Sequence, residues 1–146
     1  MRAILIAAML GSAAGVTATA EAGMPGHDVE LFKSPSCGCC SDYGDYLSAN
    51  GFDVSVRPID DIVGLSRLAG IPDDLQGCHL ASIDGYFVSG HVPVRVVRKM
   101  LDERPAIRGI TLPGMPAGSP GMMGEKLEPF RVLAIGAGEP ELYVAE

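Results

Sequence analysis

The residues best suited to chemistry are the four cysteines, three of which lie within four positions of the chain. Cys37, Cys39 and Cys40 form a CxCC run, and Cys78 stands alone further along. Cys37 and Cys40 keep CxxC spacing at a predicted helix start, where free N–H groups and the helix dipole favour the thiolate. A thiolate is both the nucleophile of disulfide exchange and a ligand for soft metal ions. The spacing therefore predicts a redox site or a soft-metal site.

Two structural disulfides are the alternative for an even number of cysteines in an oxidising compartment. Adjacent Cys39 and Cys40 cannot pair without severe strain, because a disulfide needs a specific Cα separation and torsion. Two bridges would therefore have to share this one turn. A dithiol oxidant needs two sulfurs, whereas a metal site gains from every further thiolate. The third and fourth cysteines thus favour metal binding.

The choice of metal follows from the spacing of the sulfurs. Four thiolates suit Zn(II), an iron–sulfur cluster or Cu(I). A CxCC run matches neither the paired spacing of zinc knuckles nor the known iron–sulfur spacings. Bridging thiolates on several Cu(I) ions tolerate adjacent cysteines, so we predict more than one Cu(I) ion held by Cys37, Cys39, Cys40 and Cys78.

Methionine and histidine offer further donors. Met115, Met122 and Met123 lie in a Gly/Pro loop without periodicity. Thioether is a Cu(I) ligand, and we predict Met115 and Met122 as secondary ligands, with surface or gap-filling methionine as the open alternative. His79 is expected to point away from Cys78 if both lie on one strand, and His91 is interpreted as a residue near a helix cap.

The hydrophobic periodicity predicts the elements that position these residues. In chain order they are a strand at 29–32, a helix from about 39, a strand at 52–59, a helix at 62–69, hairpin strands at 78–83 and 86–89, a helix after Pro93, and strands at 130–135 and 142–144. This order predicts an α/β fold with a thioredoxin-like mixed sheet, flanking helices and a C-terminal β extension. In a thioredoxin-like domain the turn before the third strand faces the CxxC and normally carries a cis-proline. Here Gly77-Cys78 occupies that place, so Cys78 is predicted to face the motif.

Residues 1–22 have the pattern of a cleaved signal peptide, with a short positive start, an apolar run and small-x-small cleavage sites. The apolar run is too short for a membrane anchor. Residues 23–146 are then one domain, exported to the periplasm. The net charge of −7 argues against nucleic acid and anionic membranes as partners.

The sequence resembles the CopG family of periplasmic copper-resistance proteins over about residues 28–145. The resemblance is carried by Lys33-Ser34-Pro35-Ser36-Cys37-Gly38-Cys39-Cys40, Gly77-Cys78-His79, Asp84-Gly85-Tyr86, Gly90-His91-Val92-Pro93, Pro113-Gly114-Met115-Pro116 and Gly118-Ser119-Pro120-Gly121-Met122. It implies a multinuclear copper cluster bound through the cysteines, with a part in copper handling or in Cu(I)/Cu(II) interconversion. It also implies copper ions, and other periplasmic copper-handling proteins, as partners.

Three kinds of function stay open at this point. The first is a copper-binding protein that sequesters or passes on Cu(I). The second is a redox enzyme, either a copper oxidoreductase or a thiol–disulfide oxidoreductase using Cys37 and Cys40. The third is a disulfide-stapled binding module, which the adjacent cysteines disfavour.

Overall fold

The structure is a computed structural model that describes residues 26–146. The predicted signal peptide, residues 1–22, lies outside the described residues. The elements in chain order are β1 (Asp28–Lys33), α1 (Gly38–Ala49), β2 (Asp53–Pro58), α2 (Ile62–Leu68), a short 3-10 turn (Asp73–Leu75), β3 (His79–Ile83), β4 (Tyr86–Ser89), α3 (Val94–Glu103), β5 (Gly109–Thr111), β6 (Arg131–Ile135) and β7 (Glu141–Ala145).

All seven strands form one mixed sheet in the order β2-β1-β3-β4-β5-β6-β7. β1 pairs with β2, and β4 with β5, in parallel, whereas the other neighbours are antiparallel. The predicted α/β fold, with a mixed sheet, flanking helices and a C-terminal β extension, is confirmed. The likeness to thioredoxin remains an interpretation of this element order.

The core forms where the apolar faces of α1, α3 and the sheet meet. Alternation along β1 buries Val29 and Leu31, as the period of two of a strand requires. In α1 the residues Tyr43 and Leu47, four positions apart on one helical face, are fully buried. The Tyr43 hydroxyl donates a 2.9 Å hydrogen bond to the carbonyl oxygen of Val92, which ties α1 to the segment before α3.

The segment between α2 and β3 places the turn that carries Cys78. Gly77 donates its N–H to the Ser89 hydroxyl at 2.9 Å, and Thr111 donates its hydroxyl to the Leu75 carbonyl at 2.7 Å. A Cβ on Gly77 would lie 2.3 Å from the backbone nitrogen of Gly90, far inside van der Waals contact. Glycine at position 77 therefore allows this turn to pack directly against the end of β4.

The sequence pattern missed β5, a strand of three residues that joins the extension to the rest of the sheet. Gly109–Thr111 pairs with β4 on one side and with β6 on the other. Three residues are too few to show an alternating pattern, so the strand is recognisable only once its neighbours are in place. Within residues 26–146, no helix is both long and apolar enough to cross a membrane.

Candidate metal centre

The CxCC run occupies the N-terminus of α1. Cys37 is the N-cap residue, and its N–H donates to the Ser34 carbonyl at 3.1 Å, which closes the turn between β1 and the helix. Cys37 and Cys40 are joined by a disulfide, with their Cα atoms 5.4 Å apart. The thiol of Cys39 lies 3.6 Å from the Cys37 sulfur. Three sulfurs thus gather at a helix end whose free N–H groups favour negative charge.

Cys78 faces this cluster from the turn before β3. Its sulfur lies 3.3 Å from the Cys40 sulfur, although the two residues are 38 positions apart in the chain. The sulfur atoms of Cys37, Cys39, Cys40 and Cys78 all lie within 4.8 Å of one another. A single ion or a small cluster of ions would reach all four.

Two histidines lie beside Cys78, and the condition under which His79 is expected to point away from Cys78, that both lie on one strand, is not met. Nδ1 of His79 lies 3.6 Å from the Cys78 sulfur instead of pointing away. The reason is that β3 begins at His79, so Cys78 stands in the preceding bend, where strand alternation does not apply. The imidazole of His79 stacks on the buried Tyr43 ring with centroids 4.6 Å apart.

His91 approaches the same sulfur from the loop after β4. Its Nε2 lies 3.5 Å from the Cys78 sulfur, and its Nδ1 lies 2.7 Å from the Pro120 carbonyl oxygen. A carbonyl oxygen only accepts, so Nδ1 carries the proton and Nε2 turns its lone pair toward Cys78. A backbone contact that fixes the tautomer in this way is common for metal-binding histidines. Cys78, His79 and His91 form a second donor group within 4.8 Å.

Burial sets the protonation of these donors. Desolvation lowers the pKa of His79 to about 3, with the neighbouring His91 contributing, and desolvation also lowers the pKa of His91. Both imidazoles are therefore neutral at pH 7. Desolvation raises the pKa of the Cys78 thiol to about 12, and the Cys39 sulfur adds to the rise. A metal ion entering the centre has to displace the Cys78 proton.

The methionine loop, residues 113–124, lies against the start of α1. A Cβ on Gly121 would be 3.0 Å from the Tyr43 nitrogen and 3.2 Å from the Cys39 carbonyl oxygen. The carbonyl oxygen of Pro120, in the same loop, accepts the hydrogen bond from Nδ1 of His91. Met122, which follows Gly121 in this loop, is partly buried. Met115 is 39% exposed, and Met123 is 91% exposed. Metal binding by Met115 and Met122 stays a prediction.

These features define a class: a small mixed α/β protein whose thiol and imidazole donors, at the N-terminus of the first helix, suit a soft metal ion. A family described as "Protein of unknown function, DUF411" matches residues 75–122, the segment from before Cys78 to Met122. No curated protein matches the chain.

Two solved structures are similar to almost the whole described chain. The structure titled "Copper resistance protein copG- Form 2" is 34% identical, with a TM-score of 0.76, and the match covers 83% of this chain and 98% of that one. The structure titled "Copper resistance protein copG- Form 1" is 35% identical, with a TM-score of 0.75, and the match covers 84% and 98%. The chain belongs to the CopG family of copper resistance proteins, which confirms the resemblance seen in its motifs.

Proposed function

We propose that the protein binds Cu(I) as a multinuclear thiolate cluster through Cys37, Cys39, Cys40 and Cys78, and so serves copper handling and resistance. The observation that carries the proposal is the convergence of four sulfurs within 4.8 Å. The titles of the two similar structures support copper as the metal. Copper bound here would supply one-electron chemistry between Cu(I) and Cu(II).

The two histidines, as well as the four sulfurs, are suitable donors for a soft metal ion. Nδ1 of His79 and Nε2 of His91 lie 3.6 Å and 3.5 Å from the Cys78 sulfur, so both imidazoles are within reach of an ion bound to that sulfur. Neutral imidazole and thiolate are both Cu(I) donors. We therefore add His79 and His91 to the proposed ligand set, with Cys78 as the sulfur shared by both donor groups.

A thiol–disulfide oxidoreductase is the second candidate, and one observation favours it. Cys37 and Cys40 are already joined, and Cys39 and Cys78 are free thiols beside them. Attack of a free thiolate on this bond would release the other sulfur as a thiolate. The two candidates are distinguished by metal content and by exchange with an external dithiol.

Reduced protein is expected to bind more than one Cu(I) ion, because four thiolates that bridge between ions can hold several monovalent ions in one cluster. The measurement is an anaerobic Cu(I) titration against a competing chelator, with Zn(II) titrated in parallel. The control is the same protein after alkylation of its four cysteines. Saturation at a single equivalent would exclude a cluster.

Replacing Met122 with leucine is expected to speed Cu(I) release at least a few-fold while leaving the number of bound ions unchanged. The loop that carries Met122 touches both α1 and His91, which supports the proposal that its thioether acts as a secondary ligand or lid. Release is measured by transfer to an excess chelator after rapid mixing.

Met115→Leu tests the second predicted ligand, and Met123→Leu is the matched control because Met123 is 91% exposed. Wild-type release rates in both the Met122 and Met115 variants would assign these side chains to the surface of the loop.

Export is part of the proposal. Residues 1–22 would be removed as a signal peptide, and residues 23–146 would act in the periplasm with copper ions, and with other copper-handling proteins, as partners. No membrane or nucleic acid is needed for this role.

A further inference from the structure

A lysine at the end of β1, four positions before Cys37, is buried. Lys33 is the last residue of β1 and is only 6% exposed. Its ammonium donates to the carbonyl oxygens of Ser34 at 3.0 Å and Pro35 at 3.5 Å. Among residues 26–146, no carboxylate lies within ion-pair distance of it, although six ion pairs form elsewhere.

A buried ammonium is costly when its only partners are neutral. Lysine is almost never fully buried without a paired charge, because removal of an ammonium from water is unfavourable before any compensation. The ammonium has three donor hydrogens, and the two carbonyls use two of them. Within residues 26–146, one donor hydrogen of the ammonium is thus left without a hydrogen-bond partner, and no carboxylate forms an ion pair with it.

The position of Lys33 suggests which groups supply the missing charge. Lys33 lies directly opposite His79 in the β1–β3 register, so both side chains stand on the same face of the sheet. At its other end, the ammonium shares the Ser34 carbonyl with the N–H of Cys37. Lys33 therefore spans from the strand that follows Cys78 to the turn that carries the CxCC run.

We propose that Lys33 is the charge-balancing residue of the centre, its ammonium compensating the negative charge that the cysteine thiolates carry when reduced or loaded. This inference rests on the proposed function. Four thiolates bear four negative charges, and any smaller number of Cu(I) ions leaves a net negative cluster. Lys33 offsets that charge together with the N-terminus of α1. The oxidised turn, with two sulfurs in a disulfide, needs this cation less.

Three substitutions separate the effect of the Lys33 charge from the effect of its hydrogen bonds to the turn carbonyls. Lys33→Met removes the charge and the donor, Lys33→Gln removes the charge and keeps a donor for the turn, and Lys33→Arg keeps both. We expect Cu(I) affinity, measured by chelator competition, to fall roughly 10- to 100-fold in the Met and Gln variants, the cost typical of groups that support metal ligands. Lys33→Arg should stay near the wild type.

A second measurement needs no metal. The rate of iodoacetamide alkylation of the reduced apo-protein is followed against pH, and the profile of Lys33→Met and Lys33→Gln is expected to move to higher pH because the thiolates lose a neighbouring cation. Lys99→Met is the matched control. It removes one positive charge from the exposed face of α3, where Lys99 pairs with Glu103, and should change neither affinity nor profile.

The outcomes decide the inference separately from the proposed function. Wild-type affinity and an unchanged alkylation profile in Lys33→Gln would overturn it, since a donor without charge would then suffice. If Lys33→Met does not fold, Lys33→Gln carries the test through both measurements. If the wild-type protein binds no Cu(I), the proposed function fails, and the alkylation profile alone still decides whether Lys33 balances the thiolates.

Discussion

Cys78→Ser is expected to weaken Cu(I) binding by at least about 100-fold, as much as Cys40→Ser, because loss of a group that only hydrogen-bonds to a metal ligand already costs roughly 10- to 100-fold in affinity. The Cys78 sulfur lies 3.3 Å from the Cys40 sulfur. It also lies 3.6 Å from Nδ1 of His79 and 3.5 Å from Nε2 of His91. It is the one sulfur shared by both donor groups. Chelator competition with reduced, anaerobic protein measures the loss.

Serine is close to cysteine in size, so the Cys78→Ser apo-protein should unfold at nearly the wild-type temperature. Ser36→Ala, which changes a residue beside Cys37 without touching a sulfur, is the matched control and should bind Cu(I) normally. Normal copper binding by Cys78→Ser would remove Cys78 from the site and leave the CxCC run as the only thiolate source.

Oxidation and metal loading are expected to exclude each other. In the oxidised form the Cys37–Cys40 disulfide withdraws two of the four sulfurs, because a metal ligand has to be a deprotonated thiolate. Apo-protein oxidised in this way should therefore take up little Cu(I) until a reductant opens the bond. Protein loaded beforehand should resist the same oxidant, since its thiolates are engaged by metal.

The measurement is a count of free thiols over time, with apo and copper-loaded samples under one mild oxidant. Cys40→Ser serves as the control, because it cannot form the Cys37–Cys40 bond and its apo form should keep its thiols longer. Equal rates of thiol loss in apo and loaded wild-type protein would speak against the coupling, as would undiminished Cu(I) binding by oxidised protein. Simple sequestration would then be the better account.

Local chemistry explains why much of the fold could be predicted from the sequence. The Asp84-Gly85 turn was recognisable because both residues adopt positive φ, 49° and 83°, which this dipeptide tolerates better than most. Pro93 and Arg104-Pro105 mark the two ends of α3, because proline cannot continue a helix from within. The CxCC run could be assigned to the start of α1 because the strand before it and the helix after it are its neighbours in the chain.

The second half of the centre depends on contacts between distant residues. His79 is expected to face away from Cys78 only if both lie on one strand, and the position of the bend before β3 decides that the two side chains lie together. His91 is oriented by Pro120, a residue 29 positions away. Neither relation leaves a periodic pattern, so periodicity could not indicate it.

The sequence by itself determined the chemical character of this protein: four thiols, three of them crowded into one turn, at a helix start in an α/β chain. The tertiary structure decided which groups surround them. Packing of the Gly77 turn against Gly90 brings Cys78 and two neutral imidazoles to the sulfurs, and Lys33 is buried at the end of β1. The physical reason is that side-chain type is written at each position, whereas burial and orientation arise only when segments far apart in the chain close on one another.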